Sequence, residues 1–163
     1  MSVFYKGQEN KNVTLNMLYD LFRAVGANNT IIQTTTIGDI FEVDLVETTY
    51  PLLHIGTSTA QYETGSLTYS FQFIVMDLVK KDESNEEEVL SDMLQVIGDV
   101  LSVLLNSDFD TDFTDFRHNI AIQQTISCEP FTERFDNEVT GWTASIDIVV
   151  PFNASACDGY VTS

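Results

Sequence analysis

Leu15, Leu18, Tyr19, Leu21, Phe22 and Val25 recur at the three-and-four spacing that gathers side chains on one helical face. Thr14 can cap the start and Gly26 can end it. The pattern predicts a short amphipathic helix over about 14–25, with Asp20 and Arg23 facing water. Thr30–Thr36 is rich in β-branched residues and is expected to be extended. Phe41, Val43 and Leu45 alternate with Glu42 and Asp44, which predicts a strand with one acidic face. Tyr50–Ile55 is a further short strand, and Pro51 places its start at an edge. Thr57–Ser66, with its Gly, Thr and Ser, is expected to be an exposed loop.

The clearest strand follows. Tyr69, Phe71, Phe73 and Val75 share one face, and Thr68, Ser70, Gln72, Ile74 and Met76 share the other. The second face turns apolar toward its end, which predicts burial on both sides there. Lys80–Asn85 is a charged turn, and Ser84 followed by Glu87 matches a capping box. A long helix is expected over about 85–106, roughly 32 Å at the α-helical rise. Val89, Met93, Val96, Val100 and Leu104 form one apolar stripe. Leu90, Leu94, Ile97, Leu101 and Leu105 form a second beside it. Such a face is wider than one sheet requires, so a second contact surface is expected on it.

Asn106–Asn119 reads as a loop that sets Phe109, Phe113 and Phe116 among aspartates. Ile120–Cys128 alternates as a strand, 131–140 is a polar connection, and Trp142–Val150 alternates as the last strand, stopped by Pro151. These two strands are expected to form a hairpin. Residues 1–152 form one domain in this reading, and 153–163 form a C-terminal tail. Runs of strands with few helices indicate an α+β fold. It is expected to be an antiparallel-rich mixed sheet, with one long and one short helix packed mainly on one face.

Charge sharpens this picture. The 163 residues carry 25 acids against seven bases, a net charge of −18, yet 44% of them are hydrophobic. The apolar share demands a folded core, and the charge leaves a surface of nearly one sign. Such a surface repels phosphate, so sequence-specific nucleic-acid binding by a basic patch is not expected. Met1–Asn10 lacks the apolar run of a signal peptide, and no stretch approaches the roughly 20 apolar residues of a membrane span. Cys128 and Cys157 read as buried thiols.

Catalytic chemistry finds no anchor. His54 and His118 are the only histidines, and neither sits at a metal-ligand spacing from a cysteine. No nucleophile elbow, phosphate loop or dinucleotide fingerprint occurs. Asp108, Asp110 and Asp112 imitate the opening of a calcium loop. Phe113 then stands where that loop needs Gly, and Asn119 where it needs a bidentate Glu. No enzyme activity, metal or cofactor is therefore expected. Glu133, Arg134 and Phe135 precede the last strand, and an Arg beside an aromatic is interface composition. The other reading of this trio is a hairpin turn with an internal ion pair.

Several segments, in order, carry a resemblance. A first helix is followed by Tyr50-Pro51-Leu52-Leu53-His54 and by a strand ending Phe71-Gln72-Phe73-Ile74-Val75-Met76-Asp77. A long helix opens with Val89-Leu90-Ser91-Asp92. Phe131-Thr132-Glu133-Arg134-Phe135 then leads to Gly141-Trp142 and a strand ending Val150-Pro151. Over roughly 14–157 the chain resembles small α+β proteins of the head–tail neck of tailed bacteriophages, above all tail terminator and tail completion proteins. The resemblance implies a structural virion protein, assembled in the host cytoplasm as a homo-oligomeric ring, six-fold or, as in related connectors, twelve-fold. Its implied partners are copies of itself and neighbouring neck, portal-proximal or tail-tube proteins. DNA would only pass through the lumen, without specific contact, and no membrane is involved. A heterologous contact that closes into a ring needs two unlike sticky surfaces on each subunit. The candidate contact residues are Val89, Met93, Val96, Val100 and Leu104 on the long helix, Phe109 and Phe113 in the acidic loop, and Glu133, Arg134 and Phe135. The alternative is a small acidic cytoplasmic binding module or adaptor without catalytic activity.

Overall fold

A computed structural model of the chain describes residues 13–44, 46–105, 120–123, 125–131 and 138–152. Helix α1 runs over Leu15–Asn28. Thr14 caps it by accepting a hydrogen bond from the Met17 amide, while the Thr14 amide donates to Met17 Sδ at 3.4 Å. The helix passes through Gly26, the residue expected to end it, and closes at Asn29. Gly26 instead serves packing: a Cβ there would collide with Thr35 Oγ1, so the missing side chain lets α1 lie close to the following strand.

Strand β1 is Thr34–Ile37, β2 is Leu52–Glu63 and β3 is Ser66–Leu78. Helix α2 is Glu86–Leu105. Strands β4 (Ala121–Ile122), β5 (Cys128–Phe131) and β6 (Val139–Pro151) complete the chain order. The fold is α+β, two helices with a six-stranded sheet in the order β1-β2-β3-β6-β4, β5 pairing with β6 beside β4. Among the described residues only the β1–β2 pair is parallel.

Both helices cover the same face. Leu18, Leu21, Phe22 and Val25 of α1 and the buried side of α2 meet Phe71, Phe73 and Val75 of β3 and Ala144, Ile146 and Ile148 of β6. Phe22 sets its ring edge-on to Phe71 and Phe73, with centroids 4.8 and 4.9 Å away, an arrangement that adds about 1 kcal/mol per pair beyond burial. Trp142 of β6 donates from Nε1 to the Leu90 carbonyl at 2.7 Å and ties α2 to the sheet. The opposite face is apolar only at one end, where Leu52, Ile74, Met76 and Val139 form a second, smaller cluster. The two-sided burial expected for the end of β3 is therefore present.

Other expectations change as well. The segment 57–66 is not a loop: β2 and β3 continue as the arms of a hairpin to a tight turn containing Gly65, which takes a φ of +82°. Its polar side chains are exposed as expected, but backbone pairing to β3 makes it a strand. Phe41 and Val43 lie in no strand, because Ile40–Glu42 forms a 3-10 turn. Leu45, the third residue of that expected pattern, is outside the described residues. The run Ile120–Cys128 is not one strand. It touches β6 first at Ala121–Ile122 and again at Cys128–Phe131. Finally, α2 begins at Glu86, so Asn85 rather than Ser84 holds the position before it, with the Asn85 carbonyl accepting from the Val89 amide.

Candidate functional site

The stripe Val89, Met93, Val96, Val100 and Leu104, expected to offer a subunit contact, is buried in the chain's own core. Ile97 and Leu101 of the second stripe are buried with it. The helix is apolar on so wide an arc because α2 must cover β3 and β6 together. What remains outside is Leu94, 44% exposed, with Leu90 one turn before it and Leu105 at the helix end both half-buried. Phe109, Phe113, Glu133, Arg134 and Phe135 lie outside the described residues.

A second apolar surface sits on the opposite side of the sheet, in a segment the sequence pattern assigns to a strand. Between β1 and β2 the chain carries Asp39, Glu42, Asp44 and Glu47 interleaved with apolar residues. Asp39 accepts from the Phe41 amide at 2.9 Å and so starts the 3-10 turn. Asp44 Oδ1 accepts from the amides of Val46 and Glu47, both at 3.1 Å, and Thr48 donates its hydroxyl to the Asp44 carbonyl. These local bonds offer the backbone an alternative to a ladder, which is why alternation failed as a signal here. Ile40 and Val43 pack on the second apolar cluster, while Phe41 is 78% and Val46 62% exposed. Aspartates at two successive turn starts were the available clue.

Two hollows flank the sheet. One of about 430 Å³ opens where β1 ends, lined by Tyr19, Asp39, His54, Thr57 and Gln72 among others. Most of its polar side chains already serve the fold. Tyr19 and Thr57 share a hydroxyl hydrogen bond of 2.6 Å. His54, buried, has Nε2 2.9 Å from the Gly38 carbonyl and Nδ1 2.7 Å from Thr36 Oγ1. The carbonyl only accepts, so Nε2 carries the proton and the neutral ring accepts from Thr36 at Nδ1. Burial pushes the imidazole below its ordinary range, against the opposing pull of the Gly38 bond and the Asp39 charge. Both nitrogens are thus engaged, and neither faces the hollow as a base. The other hollow, about 270 Å³, lies on the polar face of β3 and β6 and presents Gln72, Gln123, Thr125, Ser127, Thr143 and Ser145. These are amides and hydroxyls together with the Glu129 carboxylate, and no histidine, lysine or cysteine lines the hollow.

Cys128 is a half-buried free thiol whose pKa burial pushes up, away from reactivity. Cys157 is outside the described residues. Among the described residues, no three His, Cys, Asp or Glu side chains gather where they could hold a metal ion, and no helix is long and apolar enough to cross a membrane. Exposed apolar side chains remain on the outer side of α2, at Leu94, and in the braced acidic segment behind the sheet, at Phe41 and Val46. No family model matches the sequence, and no curated protein matches it.

Proposed function

We propose that the chain is a structural protein of a tailed-phage virion that assembles as a homo-oligomeric ring at the head–tail neck or tail end. One observation carries this reading: a single subunit presents unlike apolar surfaces on opposite sides of its sheet. Phe41 and Val46 stand on the side of the smaller cluster, and Leu94 stands on the helical side. Unlike surfaces on one subunit are what a heterologous contact needs, and rotation closes such contacts into a ring. The net charge of −18 supports the same role, because acidic walls let DNA slide without sticking. In this reading the acidic segment Asp39–Glu47 also suits a neighbouring neck or tube protein with a basic surface.

The test is native mass measurement followed by negative-stain imaging of the purified chain, alone and with tail tubes. Rings of six or twelve subunits, formed alone or on the tube end, are the expected result. A compact monomer under both conditions, absent from purified virions, overturns the proposal.

A further inference from the structure

The sheet has two unequal edges. On one side β6 is covered by β4 and β5, both short, and β5 carries Glu129 and Pro130. Short strands, charge and proline are the usual guards against a foreign strand. On the other side β1 pairs only with Leu52–Ile55 of β2. Beyond that point, among the described residues, no strand pairs with the outer edge of Thr57–Glu63.

The free edge is aimed and regular. Gly38 donates its amide to the Ile55 carbonyl, so the backbone groups of Ile55 point away from β3. Ser58 forms a bulge between Thr57 and Thr59, which shifts the alternation by one. From Thr59 to Glu63 the register with β3 is then unbroken, a run of about 17 Å. Within it the backbone groups of Ala60 and Tyr62 point outward. The bulge is the only guard in this stretch: it holds neither lysine nor proline, and Glu63 is its one charge, at the end. Tyr62 rests edge-on against Phe152 at 5.0 Å and is still 64% exposed.

Charge identifies the occupant. Two copies of a chain at −18 repel one another over most of their surfaces. From Thr48 to Met76, however, Glu63 is the sole charged residue, so the β2–β3 hairpin is where a like-charged copy approaches at least cost. We infer that the outer edge of β2, centred on Ala60 and Tyr62, pairs with a strand of a second copy of this chain and extends the sheet between subunits. This deepens the ring reading by naming one of its contacts, and the two can fail separately.

Sedimentation velocity and amide exchange of the full chain test the inference, with A60P and A60E as variants. A60P removes an outward amide and spares the ladder to β3. A60E keeps the amide and sets a like charge in the edge, so one variant survives as a probe if the other misfolds. The wild type is expected to associate below about 100 µM, with exchange at Ala60 and Tyr62 slowed at least about tenfold as it does so. Both variants are expected to remain folded by circular dichroism and to shift the association by at least about tenfold in concentration. A wild type that stays monomeric, or concentration-independent exchange at these two amides, overturns the inference. Association that stops at two copies and is lost in the variants supports the edge contact and removes the ring. A ring that forms unchanged in both variants keeps the ring and removes the edge contact.

Discussion

His54 shows how a residue with catalytic potential becomes part of the scaffold. It sits on β2 beneath β1, and its two nitrogens join Thr36 to the carbonyl of Gly38. The sequence offered the imidazole but not its partners, which lie 18 and 16 positions away and meet it only through parallel pairing. The folded pKa lies below the ordinary 6.5, so the unfolded chain binds the proton more readily. This contribution to stability is therefore complete above about pH 6.5 and declines as pH falls from there through the folded value. Urea midpoints between pH 7.5 and 5.5 should fall in the wild type, by no more than about 1.4 kcal/mol per pH unit from this group. H54Q should be less stable at pH 7.5 and flatter across that window. Parallel slopes for the two proteins would remove His54 as the cause.

At the scale of elements, packing decided what periodicity left open. The helical spacing of Leu18, Leu21, Phe22 and Val25 announced α1, and the alternation of Tyr69–Val75 announced β3, because each buries one face against a core. The end of α1 was illegible for a different reason. Glycine is a common helix terminator, but Gly26 is where Thr35 of β1 presses against the helix. G26A should cost about 1–3 kcal/mol in urea unfolding, because the new methyl group overlaps the Thr35 side chain. Adding T35A should restore part of that loss. If G26A proves neutral, or T35A gives no rescue, the close approach does not govern this joint. The hairpin arm 57–63 was missed because it buries no side chain on either face: its strand character comes from backbone bonds to β3, whose other edge is held by β6.

Across the whole molecule the charge is unevenly placed. Between Arg23 and Lys80 the sequence contains no lysine or arginine, and this stretch supplies the acidic segment behind the sheet and the nearly uncharged hairpin. The Arg23–Asp20 pair at 3.2 Å is more than half exposed on both sides and contributes about 1 kcal/mol at most. Such a surface should not retain double-stranded DNA in a mobility-shift assay at physiological salt. Binding tighter than about 10 µM would place a basic groove in the assembly and contradict an acidic channel. The expected contact residues on α2, Val89, Met93, Val96, Val100 and Leu104, are all buried. The inner stripe belongs to the core, and only Leu94 and its neighbours reach the surface, because one helix spans two long strands.

The sequence by itself determined the α+β class, both helices, the two-sided burial at the end of β3 and the acidic surface, since these depend on local period and composition. Tertiary structure decided the rest: which apolar stripe of α2 is core, how the segment 39–44 turns away from a strand, and which sheet edge carries no pairing strand among the described residues. Those outcomes depend on contacts between distant residues, and a backbone edge is free only once the position of every neighbouring strand is fixed.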